Sequence, residues 1–261
     1  MDELTIRSGE VEEDGPRWRR TLVAERGGAR VGTVTVQASR WHAQRLWIDL
    51  EVAPGERRRG AGSALLAAAR ELSAADGRPL RAKVLAGSDG ARFAGGHGFR
   101  LLQRCRTFRL APAPGGAAVR RDLVVDGRPD LDRVAAAFRD FYVRGHRWDP
   151  AGDMSAADLR GTHVDEAAAA VLVLDRDGAA LAVGCLYAEA RGLLLSGGPT
   201  MPGGGRARDA SAALLDASLA HAASYGGALC VEADEYPSEM VEELELRGAA
   251  VLDEVHIVAE H

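Results

Sequence analysis

Apolar and polar residues alternate over 18–25 and again over 31–38, with Arg26-Gly27-Gly28 between the two runs. Period two predicts half-buried strands, and paired glycines between them predict a tight hairpin. A third apolar run, 44–52, predicts a third strand. The period then lengthens. Leu65, Leu66, Ala69 and Leu72 share one face of a helix expected over 60–75, which Asp76-Gly77 stops. Leu80, Ala82 and Val84 alternate as a strand, 88–95 reads as a short helix, and Gly98-Phe99 leads into a strand over 101–110.

The same order returns in the second half. Strands are expected over 169–174 and 180–187 around the turn Asp177-Gly178, then over 191–196. A long helix follows over 207–225, ended by Gly226-Gly227, then a strand at 229–233, a helix at 238–247 and a strand at 250–259. Ahead of this copy stand two further helical segments, 131–144 and 156–160, joined through Gly145-His146-Arg147-Trp148-Asp149-Pro150. Matching landmarks keep nearly constant separations: Gly28 to Gly178 is 150 residues, Pro54 to Pro202 is 148, and Gly98 to Gly248 is 150. Such self-similarity is the mark of a duplicated unit. Between the copies, 111–118 read Ala-Pro-Ala-Pro-Gly-Gly-Ala-Ala, which breaks helix and strand alike and serves as a linker. The expected architecture is α+β: two domains in tandem, 1–112 and 119–261, each a mixed, mostly antiparallel sheet flanked by helices.

Composition narrows the function classes. The 261 residues are 46% hydrophobic and 27% charged, enough for a proper core in each domain. A net charge of -5 argues against a general nucleic-acid binder, for which a basic face is expected. No apolar run reaches the roughly 18 residues of a membrane span, and Met1-Asp2-Glu3 opens no signal peptide. Cys105, Cys185 and Cys230 have neither metal-ligand spacing nor an even disulfide count. The expectation is a cytoplasmic protein with free thiols, no metal, and a small molecule as its partner, either monomeric or a homodimer.

The chemistry concentrates at one turn. The third strand runs through Asp49, Leu50, Glu51, Val52 and Ala53 to Pro54-Gly55-Glu56, and then to Arg57, Arg58, Arg59, Gly60, Ala61, Gly62 and Ser63 at the start of a helix. Small residues let a ligand approach the backbone closely. Free N–H groups and aligned peptide dipoles at a helix start favour an anion, and three arginines flank the site. The arrangement suits a pyrophosphate.

These residues resemble the GNAT superfamily of acyl-CoA-dependent N-acetyltransferases in tandem form. The likeness lies in Val52-Ala53-Pro54 followed by Arg57-Arg58-Arg59-Gly60-Ala61-Gly62, and in Arg92-Phe93-Ala94-Gly95-Gly96-His97-Gly98-Phe99 some thirty residues on. It covers 18–110, and the repeat extends a weaker match over 120–259. The resemblance implies that backbone N–H groups of 58–63 cradle the pyrophosphate of acetyl-CoA, that the strand edge 50–53 pairs with pantetheine, and that a primary amine attacks the thioester directly. It implies cofactor contacts at Leu50, Val52, Ala53, Arg57, Arg58, Arg59, Gly60, Ala61, Gly62 and Ser63.

Three departures stand out. Where the family often has a tyrosine as general acid, this chain has Ala94, and the second copy has Leu244. The second loop, Pro202-Gly203-Gly204-Gly205-Arg206-Ala207-Arg208-Asp209, has lost the pattern, and its aspartate would repel phosphate. The first copy also lacks the helix pair that walls the acceptor site, so the second domain or a partner subunit is expected to supply part of that wall. The rival reading that these losses favour is a non-catalytic acyl-CoA sensor or partner-binding pseudoenzyme.

For catalysis, Asp49 and Glu51 lie two apart on a strand and face the same way, with Trp47 alongside. Either carboxylate could take the amine's proton or hold a cationic acceptor; the alternative is a solvated strand face. His42 reads as a surface turn residue or a base near neutrality, His97 as packing, and Trp148 as a loop anchor or, beside Asp149, a contact for a cationic amine. The acids from Glu232 to Glu245 read as a solvated helix face or an attractor of polycations.

Overall fold

The computed structural model describes residues 3–14, 17–111, 122–190, 192–201 and 203–260. The expected linker 111–118 lies outside them apart from Ala111, as do Arg191 and Pro202. The chain divides into two compact units. The first holds Met1–Leu102 together with Trp148–Gly152 and His256–His261; the second holds Gln103–Arg147 and Asp153–Val255.

The first unit carries strands β1 (Leu4–Asp14), β2 (Arg17–Arg26), β3 (Ala29–Ala38) and β4 (Leu46–Val52), helix α1 (Ala61–Asp76), strand β5 (Leu80–Leu85) and helix α2 (Asp89–Gly96). The strands lie in chain order and are antiparallel up to β4. β4 and β5 run parallel and pair only at Leu46↔Leu80 and Trp47↔Arg81, after which they part. On the other side of β5 lies the end of the last strand, where the Glu260 N–H donates to the Leu80 carbonyl at 2.9 Å. Val34, Val36, Leu46 and Ile48 pack against Leu65, Leu66 and Ala69 of α1 to form the core. Gly32 is forced by that packing: a Cβ there would stand 2.6 Å from the Glu51 carbonyl oxygen.

Strand β6 (Arg100–Leu110) leads to the second unit, with β7 (Val124–Asp126), α3 (Leu131–Gly145), α4 (Ala156–Leu159), β8 (Ala169–Leu174), β9 (Ala180–Glu189), β10 (Gly192–Pro199), α5 (Gly205–Ser224), β11 (Ala228–Asp234), α6 (Glu239–Leu246) and β12 (Ala250–Ala259). Its strand order is β7-β8-β9-β10-β11-β6-β12; β7 to β10 are antiparallel in turn, as are β11 and β6, and β10 runs parallel to β11. α5 packs on one face of β8, β9 and β10, and α3 on them too. Both helices have apolar faces: Val134, Ala137 and Phe138 on α3, and Ala210, Leu214 and Leu215 on α5.

Along the chain one order of elements occurs twice, three strands, a helix, a strand, a helix and a strand, from β2 to β6 and from β8 to β12. Two strands escape it. β1 pairs with β2 across a register shift between Ser8 and Val11, and Ser8-Gly9 interrupts the alternation a strand would show. β7 has three residues, too few for any period.

Candidate functional site

The turn after β4 is built around two left-handed residues. Pro54–Glu56 form a single 3-10 turn, Arg58 has φ 61° and Gly60 φ 89°. Gly60 is the N-cap of α1 and has no side chain to cap it. The first helical bond runs from Ala64 N–H to the Gly60 carbonyl at 3.0 Å, which leaves the N–H groups of Ala61, Gly62 and Ser63 without intrahelical acceptors. Three successive donors stand at the positive end of a sixteen-residue helix, where an anion is favoured.

The three arginines divide the work. Arg59 pairs with Glu56 at 2.6 Å, and Glu56 also accepts from Arg26 at 3.0 Å, so Arg59 braces the turn. Arg57 donates from Nε to the Val52 carbonyl at 3.2 Å. Arg58 is largely exposed, 3.9 Å from Asp89, whose carboxyl is held below its ordinary range by Arg92. Arg57 and Arg58 line the adjoining cavity; Arg59 does not. Ala61 is buried in the core and offers only its backbone.

That cavity, of about 870 Å³, opens where β4 and β5 part. Asp49, Leu50, Glu51, Val52 and Ala53 line it from β4, Gly60, Gly62 and Ser63 from α1, and Ala82, Lys83 and Val84 from β5. Ala94, His97 and Phe99 close the α2 end. Asp49 and Glu51 are exposed on the face opposite α1. Every lining residue lies between Arg30 and Phe99. Among the described residues, those that line the cavity all belong to the first unit.

Ala94 is 6% exposed, and the position where the family often has a phenol is filled by a methyl group. His97 stands one turn on. Its ring lies 4.4 Å from that of Phe93, and its Nε2 is 3.3 Å from Ser63 Oγ, so it is a cavity residue and not mere packing.

A cluster that the sequence did not announce stands at the point where β4 and β5 last pair. Arg81 and Asp149 are both 0% exposed and form an ion pair at 2.5 Å. The guanidinium lies over Trp47, 3.9 Å from the ring centroid, and over Trp148 at 5.3 Å. His42 is 5% exposed and donates from Nδ1 to the Asp149 carbonyl at 2.7 Å; burial holds its pKa below the ordinary 6.5. The expectation of a surface histidine at 42 is overturned, because the segment Trp148–Gly152 covers it. Nothing in the local pattern signals this, since its members are distant in sequence.

The second loop is not an equivalent cradle. α1 and α5 end 148 residues apart, at Asp76 and Ser224, yet α5 begins at Gly205 instead of the corresponding Asp209. The extra turn replaces the open loop with helix. Asp209 accordingly lies inside the helix and not at its first amides. The Gly203 N–H ahead of the helix is taken by the Glu239 carboxylate at 2.8 Å, from α6. Glu239 is 8% and Glu243 6% exposed, so the acids of this stretch are not uniformly a solvated face.

Residues 17–111, which hold the loop and its flanking strands, match the acetyltransferase (GNAT) domain family. The match covers 95 of the 261 residues. Among solved structures the chain is similar to a GCN5-related N-acetyltransferase from Sphaerobacter thermophilus, at 15% identity and TM-score 0.67 over 92% of this chain and 80% of that one. It is also similar to a tandem GNAT protein from the clavulanic acid biosynthesis pathway, at 21% identity and TM-score 0.62 over 95% and 84%. A GCN5-related N-acetyltransferase from Kribbella flavida aligns at 18% identity and TM-score 0.55 over 92% and 59%. At these identities the likeness is one of fold. No curated protein matches the chain in sequence. The fold is one that handles acyl-CoA. Among the described residues no three His, Cys, Asp or Glu side chains gather as metal ligands, and no helix is long and apolar enough to cross a membrane.

Proposed function

We propose that the first unit binds acetyl-CoA and transfers its acetyl group to a primary amine of a small molecule by direct attack. The observation that carries this is one cavity holding both halves of the chemistry: the uncapped start of α1 and the carboxylates of Asp49 and Glu51. Pyrophosphate suits the amides of Ala61, Gly62 and Ser63 with Arg57 and Arg58 beside them. The parting of β4 from β5 leaves backbone groups of 50–53 to pair with pantetheine. Asp49 or Glu51 takes the proton of the attacking amine, directly or through water. Ala94 supplies no acid, so the leaving thiolate draws its proton from water or another cavity group. Cys105 and Cys230 lie on β6 and β11 and Cys185 is buried on β9, none of them in the cavity, which favours direct attack over an acyl-enzyme. A cytoplasmic setting fits cysteines that form no disulfide among the described residues.

The decisive experiment is release of free CoA thiol from acetyl-CoA across a panel of primary amines. Amine-dependent release that falls roughly 100-fold in Asp49→Asn is the expected result. Ala94 favours a second reading, a non-catalytic acyl-CoA sensor. Tight CoA binding without turnover on any amine would establish that one.

A further inference from the structure

β4 and β5 share only two ladder pairs, Leu46↔Leu80 and Trp47↔Arg81, and the cleft opens beyond them. The residues that follow do not oppose further pairing. The next ladder positions would set Ile48 beside Ala82, Asp49 beside Lys83 and Leu50 beside Val84. These are apolar with apolar and acid with base, neighbours that favour a closed ladder. The last pair before the gap carries the buried group of Trp47, Arg81 and Asp149, both charges at 0% exposure. Three hydrogen bonds fix the segment that delivers Asp149. His42 Nδ1 donates to the Asp149 carbonyl at 2.7 Å, Arg45 Nη1 to the Trp148 carbonyl at 2.6 Å, and the Gly152 N–H to the Trp41 carbonyl at 2.7 Å.

We infer that Arg81 and Asp149 are positioning residues, which pin the fork where β4 and β5 separate and so keep the β4 edge over 50–53 open, a reading that rests on the cofactor site proposed above. A buried ion pair contributes little net stability, because desolvation of two charges offsets their attraction. An apolar pair of similar volume holds a fold together as well. What the ion pair supplies is direction. The carboxylate takes the planar guanidinium at a fixed angle, and that plane lies over the Trp47 ring, 3.9 Å from its centroid. Arg81 is thereby locked to Trp47, its own register partner. Two ladder pairs specify a register only weakly, and this clamp completes the specification. The outer edges are held too. β3 pairs with β4 from Leu46 to Val52, and the Glu260 N–H bonds the Leu80 carbonyl on the far side of β5. With the clamp in place the strands part after residue 47. With an apolar pair of no fixed angle the ladder can extend, and each added pair covers backbone that pantetheine would use.

The test uses the double variant Arg81→Met with Asp149→Leu, which buries no unpaired charge. Hydrogen exchange is followed by mass spectrometry in peptides covering 48–53 and 82–85. Their amides are expected to exchange about 10-fold more slowly than in wild type, the protection given by one or two added ladder bonds. A clamp that only stabilised the fold would give the opposite sign, since loosening speeds exchange. By calorimetry acetyl-CoA should bind about 10-fold more weakly, because the ladder must reopen. ADP, which carries the pyrophosphate and no pantetheine, should stay within about 2-fold. Trp47→Leu keeps the ion pair but removes the ring, and should slow exchange in the same peptides. Faster or unchanged exchange in the double variant would overturn the assignment, as would a loss of affinity that ADP shares. Slower exchange with the selective loss, in a protein that acetylates no amine, would leave the clamp assigned and sink the transfer; amine-dependent transfer with unchanged exchange would do the reverse.

Discussion

Gly60 sits at φ 89° with nothing within 4 Å of where its Cβ would be, so the position is open but conformationally reserved for glycine. Gly60→Asp would place a carboxylate among the three free amides. CoA affinity, read by calorimetry, is expected to fall more than about 100-fold, with a backbone cost of only about 1–2 kcal/mol in thermal unfolding. The same variant with wild-type affinity would put the anion site elsewhere. Arg81 and Asp149 behave differently because they are buried. Asp149→Asn leaves a desolvated guanidinium against two indoles, and urea unfolding should show a loss of about 3–5 kcal/mol. The double variant Arg81→Met with Asp149→Leu should regain most of it, since no unpaired charge remains. His42 adds a pH dependence. Its folded pKa lies below the unfolded 6.5, so the unfolded chain binds the proton first as pH falls. Stability should be full above 6.5 and decline on acidification below it, more steeply in wild type than in His42→Gln.

At the scale of elements, α1 and α5 show how one helix start becomes two different things. α1 begins after a glycine that leaves its amides bare, whereas α5 begins four residues earlier and lends its preceding N–H to Glu239. The second loop therefore carries its own anion. Glu239→Ala should cost about 1 kcal/mol through the lost charge-assisted bond, and CoA should still bind with one site per chain. Asp209→Gly should create no second site, because residue 209 lies within the helix; a stoichiometry of two would refute this account. The helices and long strands were legible in the residue pattern because each buries one periodic face. β1 was not, since Ser8 and Gly9 fall at its bulge, and the start of α5 was misplaced because Gly203-Gly204-Gly205 reads as a turn whether or not helix begins inside it.

At the scale of the whole molecule, the first unit is completed by segments far along the chain. Trp148–Gly152 supplies Asp149 to Arg81, and the final residues supply Glu260, which pairs with Arg70 at 2.7 Å and bonds the β5 backbone. A fragment ending at residue 111 would keep the whole cavity lining yet lose both. It should fail to give a soluble CoA-binding protein, as checked by circular dichroism and calorimetry, and a fragment that binds CoA like the intact chain would contradict this. The sequence by itself determined the α+β order of elements, its recurrence in the second half, the glycine turn before α1 and the placing of Asp49 and Glu51 on one strand face, because periodicity, glycine and strand alternation act over a few residues. Only the tertiary structure decided which lining residues share the cavity, that the second loop is closed by Glu239, and that a buried arginine finds its aspartate 68 residues away, at Arg81 and Asp149. Burial and long-range pairing depend on how the chain comes together, and no local pattern records that.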